Sequence, residues 1–134
     1  MSCLSKCMNI KLYIAIGIGG MIGSMGRYGI SILFTADHEF PFATLTANLI
    51  GCFLLSFLLN HPSIKQKLSH EMFTAVSIGA IGSFTTFSTF AVETIELWSS
   101  NLLLAVGYIL ISILGGLVFC YVGFKAACRG QVEQ

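Results

Sequence analysis

Gly79 and Gly82 are followed by Ser83, Thr85, Thr86, Ser88 and Thr89, with Phe84, Phe87 and Phe90 set among the hydroxyls. The stretch lies inside an apolar segment long enough to cross a bilayer. Loose backbone at that depth has no water to bond, and is tolerated only against protein or a polar path. If the helix unwinds over residues 79–86, the half-helix before the gap ends in unpaired carbonyls and the one after it opens on unpaired amides. The carbonyl end favours a cation and the amide end an anion. Phe87 and Phe90 are three residues apart and share a helical face, with the hydroxyls of Thr86 and Ser88 close by. The edge of an aromatic ring is weakly positive, so ring edges beside hydroxyl donors can hold a small anion without a full positive charge. Aromatic residues at this spacing also serve as plain packing, and Ser and Thr in membrane helices often bond their own backbone.

Asn48 lies in a second apolar segment, with Thr44 four residues before it and Gly51 three after, so its face is small and polar. A buried amide must find partners, either as glue between helices or along the same polar path. Arg27 comes 16 residues after Lys11, about 24 Å along a helix and so near the far interface. It reads either as a snorkelling anchor or as an anion-attracting group at a pore mouth. Gly19 and Gly23 form a small-residue ridge leading to Arg27, and Tyr108, Ser112 and Gly116 form another at four-residue spacing. Ridges of this kind let helices approach closely.

These residues must be positioned by membrane helices. Of 134 residues, 55% are hydrophobic and only 10% charged, where a soluble domain would carry about a quarter charged. The mean hydropathy is +0.85. The expectation is one all-α membrane domain over residues 1–134, with spans at about 10–34, 42–59, 72–98 and 101–124, since a spanning helix needs about 20 mostly apolar residues. Pro41 suits a helix start, and Pro62 punctuates the second connection. Four spans put both termini and the middle connection on one side, with Lys6, Lys11, Lys65, Lys67, Lys125 and Arg129; the other connections hold no Lys or Arg. The positive-inside rule then predicts an N-in, C-in orientation.

Several function classes fall away. A proton-coupled cation exporter would need a carboxylate deep in a span, but Glu93 and Glu96 sit towards the end of the third. No histidine within a span could activate a serine, and no soluble catalytic domain has room, so the chain is not read as an enzyme. A net charge of +1 gives no reason to expect nucleic acid as a partner. Cys3, Cys7, Cys52, Cys120 and Cys128 form no CxxC, and read as reduced thiols or apolar fillers rather than metal ligands. Cys3, Cys7 and Cys128 are juxtamembrane and open to acylation. The run from Leu12 is too long for a signal peptide and reads as a retained first helix. Met8 is an alternative start to Met1.

Three motifs carry a resemblance to the fluoride channel family (Fluc, also called CrcB). Residues 19–28, Gly-Gly-Met-Ile-Gly-Ser-Met-Gly-Arg-Tyr, are similar to that family's GGxxGxxxRY. Residues 41–51, Pro-Phe-Ala-Thr-Leu-Thr-Ala-Asn-Leu-Ile-Gly, resemble PxGTLxxNxxG, with Ala43 in place of glycine. Residues 82–90, Gly-Ser-Phe-Thr-Thr-Phe-Ser-Thr-Phe, resemble GGxTTFSTF, with Ser83 for the second glycine.

The resemblance implies an antiparallel dimer of four-helix subunits enclosing two narrow pores, conducting fluoride passively out of the cytoplasm and relieving its toxicity. It implies that Phe87 and Phe90 line a pore with their ring edges and that Asn48 donates to the ion or fixes those rings. Backbone carbonyls of Gly82 and Thr85 would hold a structural Na⁺ on the dimer axis. Tyr108 and Ser112 would fall on a polar track, Glu93 would be a vestibule acid, and Arg27 would lie near an aqueous mouth. A dual-topology homodimer should carry nearly balanced loops, whereas this chain has six basic residues on one side and none in the other side's loops. That imbalance suggests the N-in half of a pair of opposite paralogues. The competing expectation is a small non-conducting membrane protein that regulates a partner, its ridges serving only association.

Overall fold

The computed structural model describes residues 10–34 and 40–129, and all the regular elements among them are helices. Helix α1 spans Ile10–Leu33 and α2 spans Phe42–Asn60. The short α3, Pro62–Lys67, opens on its proline, whose missing N–H costs nothing there. The third span is composite. It begins with α4, His70–Thr74, capped by Ser69, whose hydroxyl accepts from the Met72 amide. It widens into a π-helical stretch over Ala75–Ile81, tightens to a single α-turn, α5, at Gly82–Phe84, and resumes as α6, Phe87–Ser100. The last helix, α7, covers Leu102–Arg129. The expected interruption therefore exists, but it falls at Thr85 and Thr86, at the end of the anticipated window. Gly82 has ordinary helical angles, φ −63° and ψ −31°. The expected Ser99–Ser100 turn is tighter than anticipated, because α6 runs through Ser100 and Asn101 alone separates it from α7.

Among the described residues, three helical stretches are long and apolar enough to cross a membrane: Phe42–Asn60, His70–Ser100 and Leu102–Arg129. Helix α1 is long enough at 24 residues, about 36 Å, but Lys11, Arg27 and its glycines dilute its hydropathy. Its apolar outer face (Ile14, Ile18, Met21, Met25) is exposed, as is that of α7 (Leu103, Leu110, Leu114, Leu117).

Two parallel pairings organise the bundle. Gly19 of α1 lies against the backbone of Ala75 and Ala80, and Gly23 against that of Ala80 and Phe84, so α1 and the third span run in the same direction. A Cβ on Gly23 would collide with the Ala80 carbonyl, so this close approach requires glycine. Helices α2 and α7 pair similarly: Leu49 meets Gly115, Cys52 meets Gly116, and Phe53 and Phe57 flank Gly123. The Ser56 hydroxyl donates to the Cys120 carbonyl at 2.7 Å, fixing that register. A buried cluster of Leu97, Ala105 and Tyr108, with Phe40, Leu45, Phe90 and Leu104 around it, closes one end of the bundle. Cys3, Lys6, Cys7, the alternative starts Met1 and Met8, and residues 35–39 of the first connection lie outside the described residues.

Candidate functional site

The interruption of the third span is held from another helix. Thr85 (φ −80°, ψ 157°) and Thr86 (φ −148°, ψ 125°) are both extended. In an unbroken helix the Thr86 amide would donate to the Gly82 carbonyl four residues back. Here it donates to Asn48 Oδ1 at 2.8 Å, while Asn48 Nδ2 donates to the Thr86 carbonyl at 3.0 Å. The asparagine side chain thus replaces a peptide group, matching one donor and one acceptor. Thr86 in turn caps α6, its hydroxyl accepting from the Thr89 amide at 3.2 Å and donating to Thr89 Oγ1 at 3.0 Å. Thr85 closes the preceding turn, its amide and hydroxyl both donating to the Ile81 carbonyl, at 3.1 and 3.2 Å. The Gly82 carbonyl keeps only a long 3.5 Å contact from that same hydroxyl.

Beside the interruption lies a cleft of about 610 Å³, whose lining includes Asn48, Gly82, Thr85, Thr86, Phe87, Phe90 and Ser112. Among the described residues, no acidic or basic side chain lines it. Phe87 is 80% exposed, and its ring lies 6.0 Å from that of Phe90 at 41°. Ser88 is exposed, with its hydroxyl 3.3 Å from that of Thr86. The Ser112 hydroxyl is buried and has no hydrogen-bond partner among the described residues.

A second cavity, of about 300 Å³, is lined by Ser24, Arg27, Tyr28, Ser31, Ala43, Thr44, Thr86, Thr89 and Glu93. Thr86 borders both spaces. Glu93 joins three helices: Oε1 accepts from the Thr44 hydroxyl at 2.7 Å, and Oε2 accepts from the Tyr108 hydroxyl at 2.8 Å. Charge-assisted bonds of this kind are among the stronger ones.

The sequence-derived residues therefore divide into two groups. Asn48, Thr85, Thr86, Phe87, Phe90, Ser112 and Gly82 meet at the larger cleft, and Arg27 and Glu93 share the smaller one. Ser88 and Tyr108 border neither: Ser88 is exposed, and Tyr108 is fully buried behind Phe90, ring centres 5.0 Å apart, with its hydroxyl turned to Glu93. Sequence reasoning gave no role to Thr89 or to the pairing of Thr44 with Glu93, although Thr44 was noted on the Asn48 face. It also missed the Ser24–Ser83 bridge, whose hydroxyl oxygens are 2.6 Å apart. Ser83 points to α1 rather than into the interruption, and Ser24 also donates to the Gly20 carbonyl.

Residues 14–124 match the family model described as "CrcB-like protein, Camphor Resistance (CrcB)". A protein of Desulfitobacterium hafniense named "Fluoride-specific ion channel FluC 1" is 50% identical over 112 residues, covering 83% of this chain and 98% of its own length. A Bacillus cereus protein of the same name is 44% identical over 127 residues, 92% of this chain and 88% of its own. "Fluoride-specific ion channel FluC 2" of Listeria innocua is 44% identical over 112 residues, 83% and 86% of the two lengths. With a family match across nearly all of the helical bundle and identities of this size over most of each relative, the chain belongs to the CrcB-like protein family.

Proposed function

We propose that this protein is a fluoride-specific channel of the cell membrane, passing fluoride down its gradient and out of the cytoplasm. The observation that carries this reading is the interruption held by Asn48 beside an uncharged cleft, in a chain whose relatives bear that name. With no fixed charge in the cleft, the field acting on an ion comes from weak donors. With the Thr86 and Thr89 amides taken by Asn48 and the Thr86 hydroxyl, the amides of Phe87 and Ser88 at the start of α6 lack intrahelical acceptors, and the positive end of that helix favours an anion. Ring edges of Phe87 and Phe90 and the hydroxyl of Ser112, which has no partner among the described residues, extend the donor set. Such a set replaces the shell of a small anion without trapping it, which conduction requires. Glu93 fixes Thr44 and Tyr108 behind the path, and Arg27 draws anions to its mouth. No catalytic step is involved, so the protein acts as a channel and not as an enzyme.

Four spans follow if α1 crosses beside the third span. Its backbone contact with that span over Gly19 and Gly23, and its parallel direction, support this. The exposed apolar faces of α1 and α7 support burial in lipid and against a second subunit, arranged antiparallel with two pores. A structural Na⁺ belongs to the same proposal. Carbonyl oxygens are the donors a hard cation takes, and the Gly82 carbonyl has lost its helical amide to Asn48 while Thr85 is extended, so these residues fit the ion. Bound there, Na⁺ would neutralise the carbonyl end of the gap. The skewed basic residues support an N-in, C-in subunit that pairs with an oppositely oriented paralogue. A reporter fused to the C-terminus and read on both sides tests this; equal signals in cells lacking any paralogue would defeat it.

The deciding experiment is fluoride efflux from liposomes containing the purified chain, with chloride as the control. Fluoride flux without chloride flux is expected, either alone or with the paralogue. Absence of flux in both preparations would sink the channel reading.

A further inference from the structure

We propose that Cys52 and Cys120 form a two-thiol site for a soft cation that coordinates linearly, Hg²⁺ in particular. The residues are 68 positions apart and on different helices, so nothing in their spacing marks them as a pair. The α2–α7 seam brings them together. The Cys120 thiol donates to the Cys52 carbonyl at 3.6 Å, which sets the two residues side by side across the seam. Neither is in a disulfide. Gly116, one turn before Cys120, packs beside the Cys52 sulfur, where an added Cβ would stand 3.5 Å away in ordinary contact. The Ser56 bond to the Cys120 carbonyl locks the register that sets Cys52 and Cys120 beside each other. Both cysteines line the 610 Å³ cleft, which gives a metal ion a way in.

The surroundings select the ion by charge and coordination number. Two thiols and one Hg²⁺ give a neutral S–Hg–S unit and release two protons to water, with no change of oxidation state. Ag⁺ between two thiolates would leave a net negative charge in an apolar seam, which burial penalises. Zn²⁺ prefers four ligands, and the described residues hold no group of three or more His, Cys, Asp or Glu that could supply them. Thiolate softness favours the heavier ion further. The expected order is Hg²⁺ first, Ag⁺ next and Zn²⁺ last.

The test is direct binding of mercuric chloride, which does not depend on flux and so stands or falls apart from the channel reading. The full chain carries Cys3→Ser, Cys7→Ser and Cys128→Ser, leaving only the proposed pair. One equivalent of Hg²⁺ per chain is expected to consume both thiols and give a thiolate-to-mercury absorption band in the ultraviolet. Adding Cys52→Ser or Cys120→Ser should weaken retention against competing glutathione by at least roughly tenfold, because the second thiol no longer acts at high local concentration. A need for two equivalents to consume the two thiols would overturn the proposal. So would mercury-dependent linking of separate chains, or single variants that hold mercury as firmly as the pair. The stoichiometry arm uses the intact pair, so a misfolded variant leaves the question decided.

Discussion

Helix α6 begins and ends at an asparagine-held interruption, and the two are built in opposite ways. At its end, Asn101 is exposed, and its Oδ1 accepts from the amides of Leu103 and Leu104 at 3.0 and 3.3 Å. That is a local cap: the residue that breaks the helix also starts the next one. At its beginning, the break occurs at Thr85 and Thr86, and the side chain that satisfies it comes from 38 residues away. The local cap satisfies the chain it belongs to and makes a turn. The remote one takes the amide of Thr86 out of the helix ladder, leaving the Gly82 carbonyl and the start of α6 beside a cleft. A break becomes a site when its repair is supplied from elsewhere and is incomplete.

The sharpest way to test that contrast is to remove each asparagine. Asn48→Ala leaves the Thr86 amide without a partner and removes one bond to the Thr86 carbonyl, and an unsatisfied buried group costs about 1–3 kcal/mol. Fluoride flux should fall by roughly a hundredfold or more, a barrier change of about 2.7 kcal/mol, and the purified protein should unfold at lower temperature. Wild-type flux from this variant would mean that the Thr86 cap alone holds the gap. Next in size is Phe87→Ile, which keeps bulk but loses the ring edge. Because Phe87 is 80% exposed in the single chain, melting of the subunit should hardly move while efflux drops by about tenfold or more. Unchanged efflux would rule out the ring-edge role. Asn101→Ala should cost about 1 kcal/mol of stability, the usual value of a lost helix cap, with flux intact; a flux loss matching that of Asn48→Ala would erase the distinction between the two ends. The smallest effect belongs to Ser83→Gly. It removes the bridge to Ser24, and hydrogen bonds between membrane helices average only about 0.6 kcal/mol. A marked loss of conduction there would show that the α1 contact governs the break.

How far the sequence could be read follows the same division between local and remote. The four helical regions, the break near Thr86 and the small-residue ridges were legible because each is a pattern within a short window. The position of the break was harder. Glycines suggested residues 79–82, yet those residues are helical, and two β-branched threonines take the extended angles, which suit their side chains. The site was readable residue by residue, but its connections were not. Glu93 appeared to lie towards the end of its span, although it binds Thr44 and Tyr108 across three helices. Tyr108 and Ser112, one turn apart, were expected on one track; packing turns Tyr108 to Glu93 and leaves Ser112 on the cleft. Such outcomes depend on which faces of non-adjacent helices meet, information that no single window contains.

The two parallel seams also set the timetable of assembly. Helix α1 pairs with the third span and α2 with α7, so neither finds its closest neighbour in the helix made next. As the chain is synthesised from its N-terminus, α1 must wait for the stretch after His70, and α2 must wait for the last helix. During that interval the glycine ridge of α1 and the cysteine-bearing face of α2 are open to lipid or to another protein. Asn48 waits too, because its partner Thr86 is made 38 residues later. The bundle closes only after the last helix has emerged, and the Thr86 gap becomes a defined structure only once α2 and the third span have met.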